Sequence, residues 1–331
     1  MGCSGIRGAA SNEVALVPAR KTIPDSATGL AITELMVKIV PLPQLNFIVA
    51  QAHAWALSLR MAATIENARV ENNLQELLAV AKEAAQMAAY VHAVGAQGRL
   101  KIHTKSSPAD LVTQVDREAE RQLVIVILRA RPDDSILGEE GTDIVGTTGV
   151  RWILDPLDGT TNYIYGYPAH AVSVGVEIDG KRVLGVVHDT HLIRVYAGVV
   201  GDHAGCDGLT IQVNPASELS RALVGTGFLP NAMVRNMQAE TLKRVLPRIR
   251  DIRRSGCPSL DLCAVASGAL DAYYEFGLGR WDIVGGAAIA EAAGAKVIEL
   301  HLPLMPNPLL VVANPALADA LLVLIDMNDV G

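Results

Sequence analysis

Three stretches of this 331-residue chain place acids where acids do chemistry. The most informative runs from Trp152 to Tyr163, WILDPLDGTTNY. An apolar strand delivers Asp155 to its end, Pro156 fixes the chain direction and Gly159 lets it turn. Both carboxylates, Asp155 and Asp158, and the Leu157 carbonyl can then face one point. Hard oxygens converging in this way suit Mg²⁺. Thr160 and Thr161 follow at an expected helix start, where free backbone N–H groups and hydroxyls favour a phosphate. Taken alone, the stretch reads equally as an Asp-Pro turn followed by an ordinary helix cap. Gly138-Glu139-Glu140-Gly141 closes a second apolar strand. Burying adjacent carboxylates there is costly unless a cation or donors receive them, and a solvated turn is the plainer reading of that motif by itself. Arg280-Trp281-Asp282 precedes a helix of small residues, where Asp282 serves as a cap or as a further ligand.

The elements that must hold these residues follow from periodicity. Leu74, Leu77, Leu78, Ala81, Ala85, Ala88 and Val91 recur at helical spacing, with Asn73 and Glu76 placed as a capping box. A helix is expected over Asp116 to Ala130, stopped by Pro132, then short buried strands at Ser135 to Gly138 and Trp152 to Asp155. Ala171 to Val213 reads as an antiparallel meander, because Val172, Val174 and Val176 alternate and Asp179-Gly180 supplies a hairpin turn before Val183 to His188. Further on, Ser259 to Leu270 and Asp282 to Ala293 are helical. Ala272 to Phe276, Lys296 to Glu299 and Leu309 to Val312 are strand-like, and Pro315 after Asn314 opens a last helix. The sum is a mixed-sheet lobe, residues 73–213, and an α/β lobe, residues 214–330, with helices between layers. Residues 1–72 show no sustained period and are expected to be a disordered leader or to follow a mis-assigned start.

Composition sets the bounds. Apolar residues make 50% and charged residues 19%, enough for a large core and unlike a disordered chain. Lys plus Arg number 28 against 35 Asp plus Glu, a formal net charge of -7, and aromatic residues are 4%. No nucleic-acid partner is expected on either count. Cys3, Cys206, Cys257 and Cys263 are too few and too irregular for a disulfide framework or a thiolate zinc site, which points to a reduced, cytoplasmic protein. Ile39 to Leu59 lacks charge, but Pro41, Pro43, Gln44, Asn46, Gln51 and His53 interrupt it, so no membrane association is expected. With a start at Met36 the same region weakly imitates a secretory signal. Cys257 has no His close in sequence to activate it, and His188, His191 and His203 lack ligand spacing. Arg250, Arg253 and Arg254 form a basic cluster that balances nearby acids.

These motifs together resemble a known family. Lys105-SSPADLV-Thr113, Asp116, GEEG, WILDPLDGTTNY, Gly256, DAYYE ending at Glu275 and WDIVGGAAIAEAAGA run in order between Asn73 and Ile325. The set is similar to that of the inositol monophosphatase family of magnesium-dependent, lithium-sensitive phosphatases. The resemblance implies an α+β or α/β fold, a layered αβαβα sandwich of the sugar-phosphatase type, together with a homodimer and two or three Mg²⁺ ions per site. Carried onto this sequence, it implies that Glu139, Asp155 and the Leu157 carbonyl hold a first Mg²⁺ and that Asp155, Asp158 and Asp282 hold a second. Leu157, Asp158, Gly159 and Thr160 would meet the phosphate. Gly256, Cys257, Pro258 and Glu275 would receive a small phosphorylated polyol, and Lys105 would sit at the rim. Glu139, Asp116 and Thr160 are the implied catalytic residues, Asp116 pairing with Thr160 to orient the attacking water.

The implied activity is hydrolysis of inositol 1-phosphate or a similar polyol phosphate. Histidinol phosphate, fructose 1,6-bisphosphate and a 3′-phosphonucleotide are alternative substrates, and a regulatory role in the transcription or RNA machinery is an alternative of another class. Two departures stand out. Pro258 cannot donate the N–H that family members usually offer after the glycine loop, which weakens the transfer of inositol specificity. Ala295 replaces the second glycine of the usual Gly-Gly near the end of the last motif and predicts a small packing change.

Overall fold

A computed structural model of the chain describes residues 73–98, 100–104, 111–215, 218–302 and 305–325. The expected leader, residues 1–72, and Lys105 with its motif as far as Asp110 lie outside the described residues. The apolar stripe beginning at Leu74 folds as helix α1 (residues 73–95), which buries Leu77, Ala81, Ala84 and Ala88. Asn73 is already helical rather than the cap its spacing predicts, and Glu76 instead reaches Arg131 at 3.3 Å. Strands β1 (Ile102–Thr104) and β2 (Leu111–Thr113) pair antiparallel. Helix α2 (Gln114–Ala130) starts earlier than expected because Thr113 caps it. The Thr113 hydroxyl accepts the Val115 N–H at 3.0 Å, and Asp116 reaches back to accept the Thr113 N–H at 2.8 Å.

One sheet collects β3 (Ser135–Gly138), β4 (Asp143–Ile144), β5 (Val150–Asp158), β6 (Ala171–Ile178), β7 (Lys181–Asp189), β8 (Arg194–Val199), β9 (Ala204–Cys206) and β10 (Leu209–Ile211). Its order is β10-β9-β8-β7-β6-β5-β3-β4, antiparallel except where β3 runs parallel to β5. A short helix α3 (Thr160–Tyr165) leaves the end of β5. The meander expected from alternation is β6 to β10. Its first turn has φ of 49° at Asp179 and 76° at Gly180, both in the left-handed region that a tight hairpin requires.

A second sheet follows, from β11 (Leu223–Thr226), β12 (Asp251–Arg253), β13 (Ala272–Phe276), β14 (Lys296–Leu300) and β15 (Leu309–Ala313), in the order β12-β11-β13-β15-β14. Its helices are α4 (Ala232–Val245), α5 (Pro258–Ala266), α6 (Arg280–Ala292) and α7 (Pro315–Ile325). Helix α4 and strands β1, β2, β11 and β12 have no counterpart in the periodicity reading. Helix α5 ends at Ala266, not Leu270. Gly268 takes φ of 73°, and the Ala269 and Leu270 N–H groups both turn back to the Ala264 carbonyl.

Three cores order the layers. Leu77 of α1 and Leu123 and Ile127 of α2 pack on Trp152, Val174 and Leu184, covering the outer face of the first sheet. Leu262 of α5 and Ile283 and Ile289 of α6 fill the space between Ala171 and Val187 on that sheet and Tyr273 and Val312 on the other. Val245 of α4 and Leu317 and Leu321 of α7 close the far face. The result is a layered α+β fold, helix, sheet, helix, sheet, helix. Ala295 joins the middle core. Helix α6 lies close on the first sheet because both sides lack side chains at the contact. A Cβ on Gly185 would strike the Gly285 carbonyl, and one on Gly175 would strike Val284. No helix among the described residues is long and apolar enough to cross a membrane.

Candidate metal centre

Strand β5 does not stop at Asp155, as its sequence suggests, but continues through Pro156 and Leu157 to Asp158. Its pairing with β6 matches Asp155 to Ser173 and Asp158 to Ala171, so one extra residue is accommodated on β5 between them. In a regular strand, residues 155 and 158 point to opposite faces. The bulge cancels that alternation and brings both carboxylates to one side. Pro156 fits there because a bulged position need not donate to the ladder. Gly159 follows with φ of 86°, and Cβ atoms at that position would press on the Ala169 carbonyl.

Helix α6 supplies the third acid. Asp282 stands in its first turn, and its Oδ2 accepts the Gly279 N–H at 2.7 Å, so it caps from within the helix and not from the preceding position. Ligand oxygens of Asp155, Asp158 and Asp282 all lie within 4.8 Å of one another. Glu139, directly after β3, stands close enough to Asp155 to act on its carboxyl. Burial first, and then the charges of Glu139, Asp158 and Asp282, push the Asp155 carboxyl well above the usual range. Asp282 is raised in the same way, by burial and then by Glu139 and Asp158. Asp158 rises to about 6, burial outweighing the donors around it. Each isolated buried carboxylate costs several kcal/mol, and like neighbours add to that cost. The oxygen-only donor set fits a hard divalent cation, which would remove both penalties at once.

The implied catalytic pair lies beside this cage. The Thr160 hydroxyl contacts Asp116 Oδ1 at 2.9 Å and the Leu157 carbonyl at 3.0 Å. Asp116 is itself held by the Thr113 hydroxyl at 2.6 Å. On the other side, Asp158 Oδ2 accepts the Ser259 N–H at 2.7 Å and lies 3.1 Å from the Cys257 sulfur. Pro258 is the first residue of α5, where a missing N–H is harmless, and the next N–H is committed to Asp158. Cys257 therefore presents its thiol to Asp158. Burial and the Asp158 charge raise that thiol well above its usual pKa, which leaves it protonated and poorly nucleophilic.

Glu139, Gly159, Thr160, Thr161 and Gly256 line a cleft of about 450 Å³, joined by Tyr165, Phe228, Arg235 and Arg254. Leu157, Asp158, Cys257, Pro258 and Glu275 do not form its wall. Glu275 is buried where β13 alternation turns it inward, with the Tyr273 hydroxyl donating to it, and burial raises its carboxyl to about 7. The Gly256 loop is tied by Asn162, whose amide donates to the Ala169 carbonyl at 2.7 Å and the Ser255 carbonyl at 2.9 Å. Ser255 in turn donates to Asp261 at 2.7 Å.

Sequence reasoning missed the two arginines of the cleft. Arg253 does pair with Asp251 at 2.7 Å, as a charge-balancing cluster should, but Arg254 lines the cleft and exerts its charge on Glu275 and Asp261. A lone Arg235 in an unrecognised helix carried no signal. His188 is buried, while His191 and His203 are exposed, His203 pairing with Asp202 at 2.8 Å. Among the described residues none of these histidines joins the acidic cluster.

A five-layer α+β sandwich whose sheet end and inner helix converge on a carboxylate cage defines a class of metal-site proteins. Residues 73–326 match the model of the inositol monophosphatase family, and the chain belongs to that family. It is 43% identical over 277 residues to the inositol-1-monophosphatase SuhB of Mycobacterium tuberculosis, covering 77% of this chain and 94% of that relative. A Pasteurella multocida relative named Nus factor SuhB is 32% identical over 231 residues, covering 69% of this chain and 86% of its own. The crystal structure of the extragenic suppressor protein suhB from Bartonella henselae matches with a TM-score of 0.71 at 28% identity, covering 76% of this chain and 99% of that one. Family membership supports a phosphatase, and the family is metal-dependent, typically on Mg²⁺.

Proposed function

We propose that this chain is a Mg²⁺-dependent phosphomonoesterase acting on inositol 1-phosphate or a similar small polyol phosphate. One observation carries the reading: Asp155, Asp158 and Asp282 gather within 4.8 Å, beside Glu139 and next to a cleft lined by Arg235 and Arg254. Glu139, Asp155 and the Leu157 carbonyl would hold one ion, and Asp155, Asp158 and Asp282 a second. Divalent cations bound there would screen the phosphoryl oxygens, lower the pKa of bound water and stabilise the leaving alkoxide.

The chain's own groups do the rest. Thr160 gives its hydrogen to Asp116, so its lone pairs are turned outward to accept from the attacking water and fix that water's direction. Arg254, in the cleft lining beside the Gly256 loop, would meet an anionic or hydroxylated substrate. Glu275 accepts polyol hydroxyls once the Tyr273 contact yields. The proposal includes a homodimer in solution, checked by sedimentation equilibrium, and a cytoplasmic location, supported by the free thiols of Cys206, Cys257 and Cys263.

Phosphate release with Mg²⁺ from a panel of inositol 1-phosphate, histidinol phosphate, fructose 1,6-bisphosphate and a 3′-phosphonucleotide tests the reading. The highest kcat/KM is expected for inositol 1-phosphate, and no release from any ester overturns it. The Nus factor name of the Pasteurella relative favours a second, regulatory reading. Rescue of a deletion phenotype by a catalytically dead Asp155→Asn chain would select that reading.

A further inference from the structure

The bulge that brings Asp155 and Asp158 together has a buried carbonyl, Pro156 O, at its centre, next to the position where the β5 ladder shifts register. Its partner comes from a distant part of the chain. His92, near the end of α1 and only 2% exposed, places Nε2 at 2.8 Å from Pro156 O. On the other side of the same peptide, the Leu157 N–H donates to Asp155 Oδ1 at 3.0 Å. A peptide unit is planar, so its C=O and N–H turn together. His92 and Asp155 thus grip one rigid plate from opposite edges. We propose that His92 is a positioning residue for the metal centre: by holding Pro156 O it keeps the Leu157 N–H on Asp155 and aims the adjoining Leu157 carbonyl. This role rests on the Mg²⁺-dependent reading above.

The surroundings of His92 fix which nitrogen donates. Pro156 O can only accept, so Nε2 carries the hydrogen and Nδ1 of the neutral ring accepts. The Thr190 hydroxyl lies 3.1 Å from Nδ1 and 2.7 Å from His170 Nδ1. The three contacts are mutually consistent when His170 Nδ1–H donates to Thr190, Thr190 donates to His92 Nδ1, and His92 Nε2–H donates to Pro156. Thr190 Oγ1 also lies 3.2 Å from the His170 carbonyl, a weaker acceptor for the same hydrogen. The helix end that carries His92 is anchored as well, because the Tyr163 hydroxyl donates to the His92 carbonyl at 2.6 Å. None of these four side chains was singled out as functional by its sequence setting, and none belongs to the carboxylate cage.

The test is calorimetric titration of the full chain with Mg²⁺ after EDTA treatment, with the melting temperature in EDTA as the check on folding. Wild-type binding is the control for the reading beneath; its absence overturns both. With wild-type binding in hand, His92→Leu is expected to weaken Mg²⁺ affinity by about 10- to 100-fold, the usual cost of losing a partner that orients a ligand. His92→Gln keeps an N–H near the Nε2 position and should recover most of that loss. Unchanged affinity in a folded His92→Leu chain overturns the role. So does a His92→Gln chain as weak as His92→Leu, since the donor and not the ring is what the role needs. If His92→Leu does not fold, Thr190→Val decides. A severalfold loss of Mg²⁺ affinity at an unchanged melting temperature supports the role, and no loss overturns it.

Discussion

Two groups of buried or half-buried acids share the first sheet and its covering helices, and they differ in how many donors reach each carboxylate. Glu120 on α2 accepts from the Glu140 N–H at 2.7 Å, the Thr142 N–H at 3.0 Å and the Thr142 hydroxyl at 2.7 Å. Asp134 accepts from Trp152 Nε1 at 3.0 Å, the Thr148 hydroxyl at 2.6 Å and Arg131 Nε at 2.9 Å. These carboxylates face donors and hold loops to strands. Asp155, Asp158 and Asp282 each accept one backbone N–H, from Leu157, Ser259 and Gly279, but they crowd within 4.8 Å of one another, and burial first and neighbouring acids second raise all three. Burial of an acid therefore does not mark a site; the sign of what it faces does. The GEEG motif contains both cases at once. Glu139 acts on the Asp155 carboxyl from beside the three-aspartate cluster, while the turn around Glu140 and Thr142 is pinned by Glu120, which leaves no room for a Cβ on Gly138.

Substitutions in the two groups should separate them. Asp155→Asn is expected to reduce Mg²⁺-dependent phosphate release to background, whereas Asp134→Ala should leave kcat within about twofold, because it lies outside the cage. The same Asp134→Ala chain should lose about 2 kcal/mol of stability in urea titrations, because the Trp152 indole N–H and the Thr148 hydroxyl lose their acceptor while Arg131 keeps Glu76. In the wild type, Mg²⁺ at about 100 times its Kd should add about 2.7 kcal/mol of stability, and Asp155→Asn should abolish that gain.

The pH dependence of the metal-free protein gives a finer contrast. Glu275 and Asp261 are both raised to about 7 and Asp158 to about 6, burial being the first cause in each. The unfolded chain titrates these groups near 4. Through these acids the folded state holds more protons between about 4 and 7, whereas His92, lowered to about 3 by burial, and the likewise lowered His170 and His188 act oppositely below about 6.5, so stability falls as pH rises through the upper part of that window. Without metal, the melting temperature should be higher at pH 5.5 than at pH 7.5. Asp155→Asn should flatten that slope, and Asp134→Asn should not. The smallest effect is expected from Glu275→Gln, a severalfold rise in KM for inositol 1-phosphate with little change for a simple aryl phosphate.

The cage was legible because its residues cluster in short motifs of unusual composition. Its geometry was not. Whether Asp155 and Asp158 share a face depends on the register of β5 against β6, and a bulge is a property of two strands that one segment does not display. Asp116 and Asp282 were read as helix starts, yet each sits inside its helix and bonds back to the residue before it, a shift that boundary signals rarely resolve. Helix α4 was missed although Asn231 caps it through the Met233 and Val234 N–H groups, because Gln238 and Thr241 stand on its buried face where apolar residues would have shown a period. The resemblance implies Glu275 as a polyol contact without revealing its burial, which follows from β13 being covered on both faces.

The glycine contact between α6 and the first sheet has a consequence for how this protein can change over time. With main chain resting on main chain at Gly185 and Gly285, there is no compressible layer to absorb an error, and Asp282 inherits the sheet's rigidity. The cleft lining also includes Phe228, Pro230 and Arg235, on a loop and an exposed helix start, where replacement disturbs no packing of that kind. Selection can therefore remodel that part of the lining while the carboxylate cluster stays fixed, and divergence among such proteins should accumulate there.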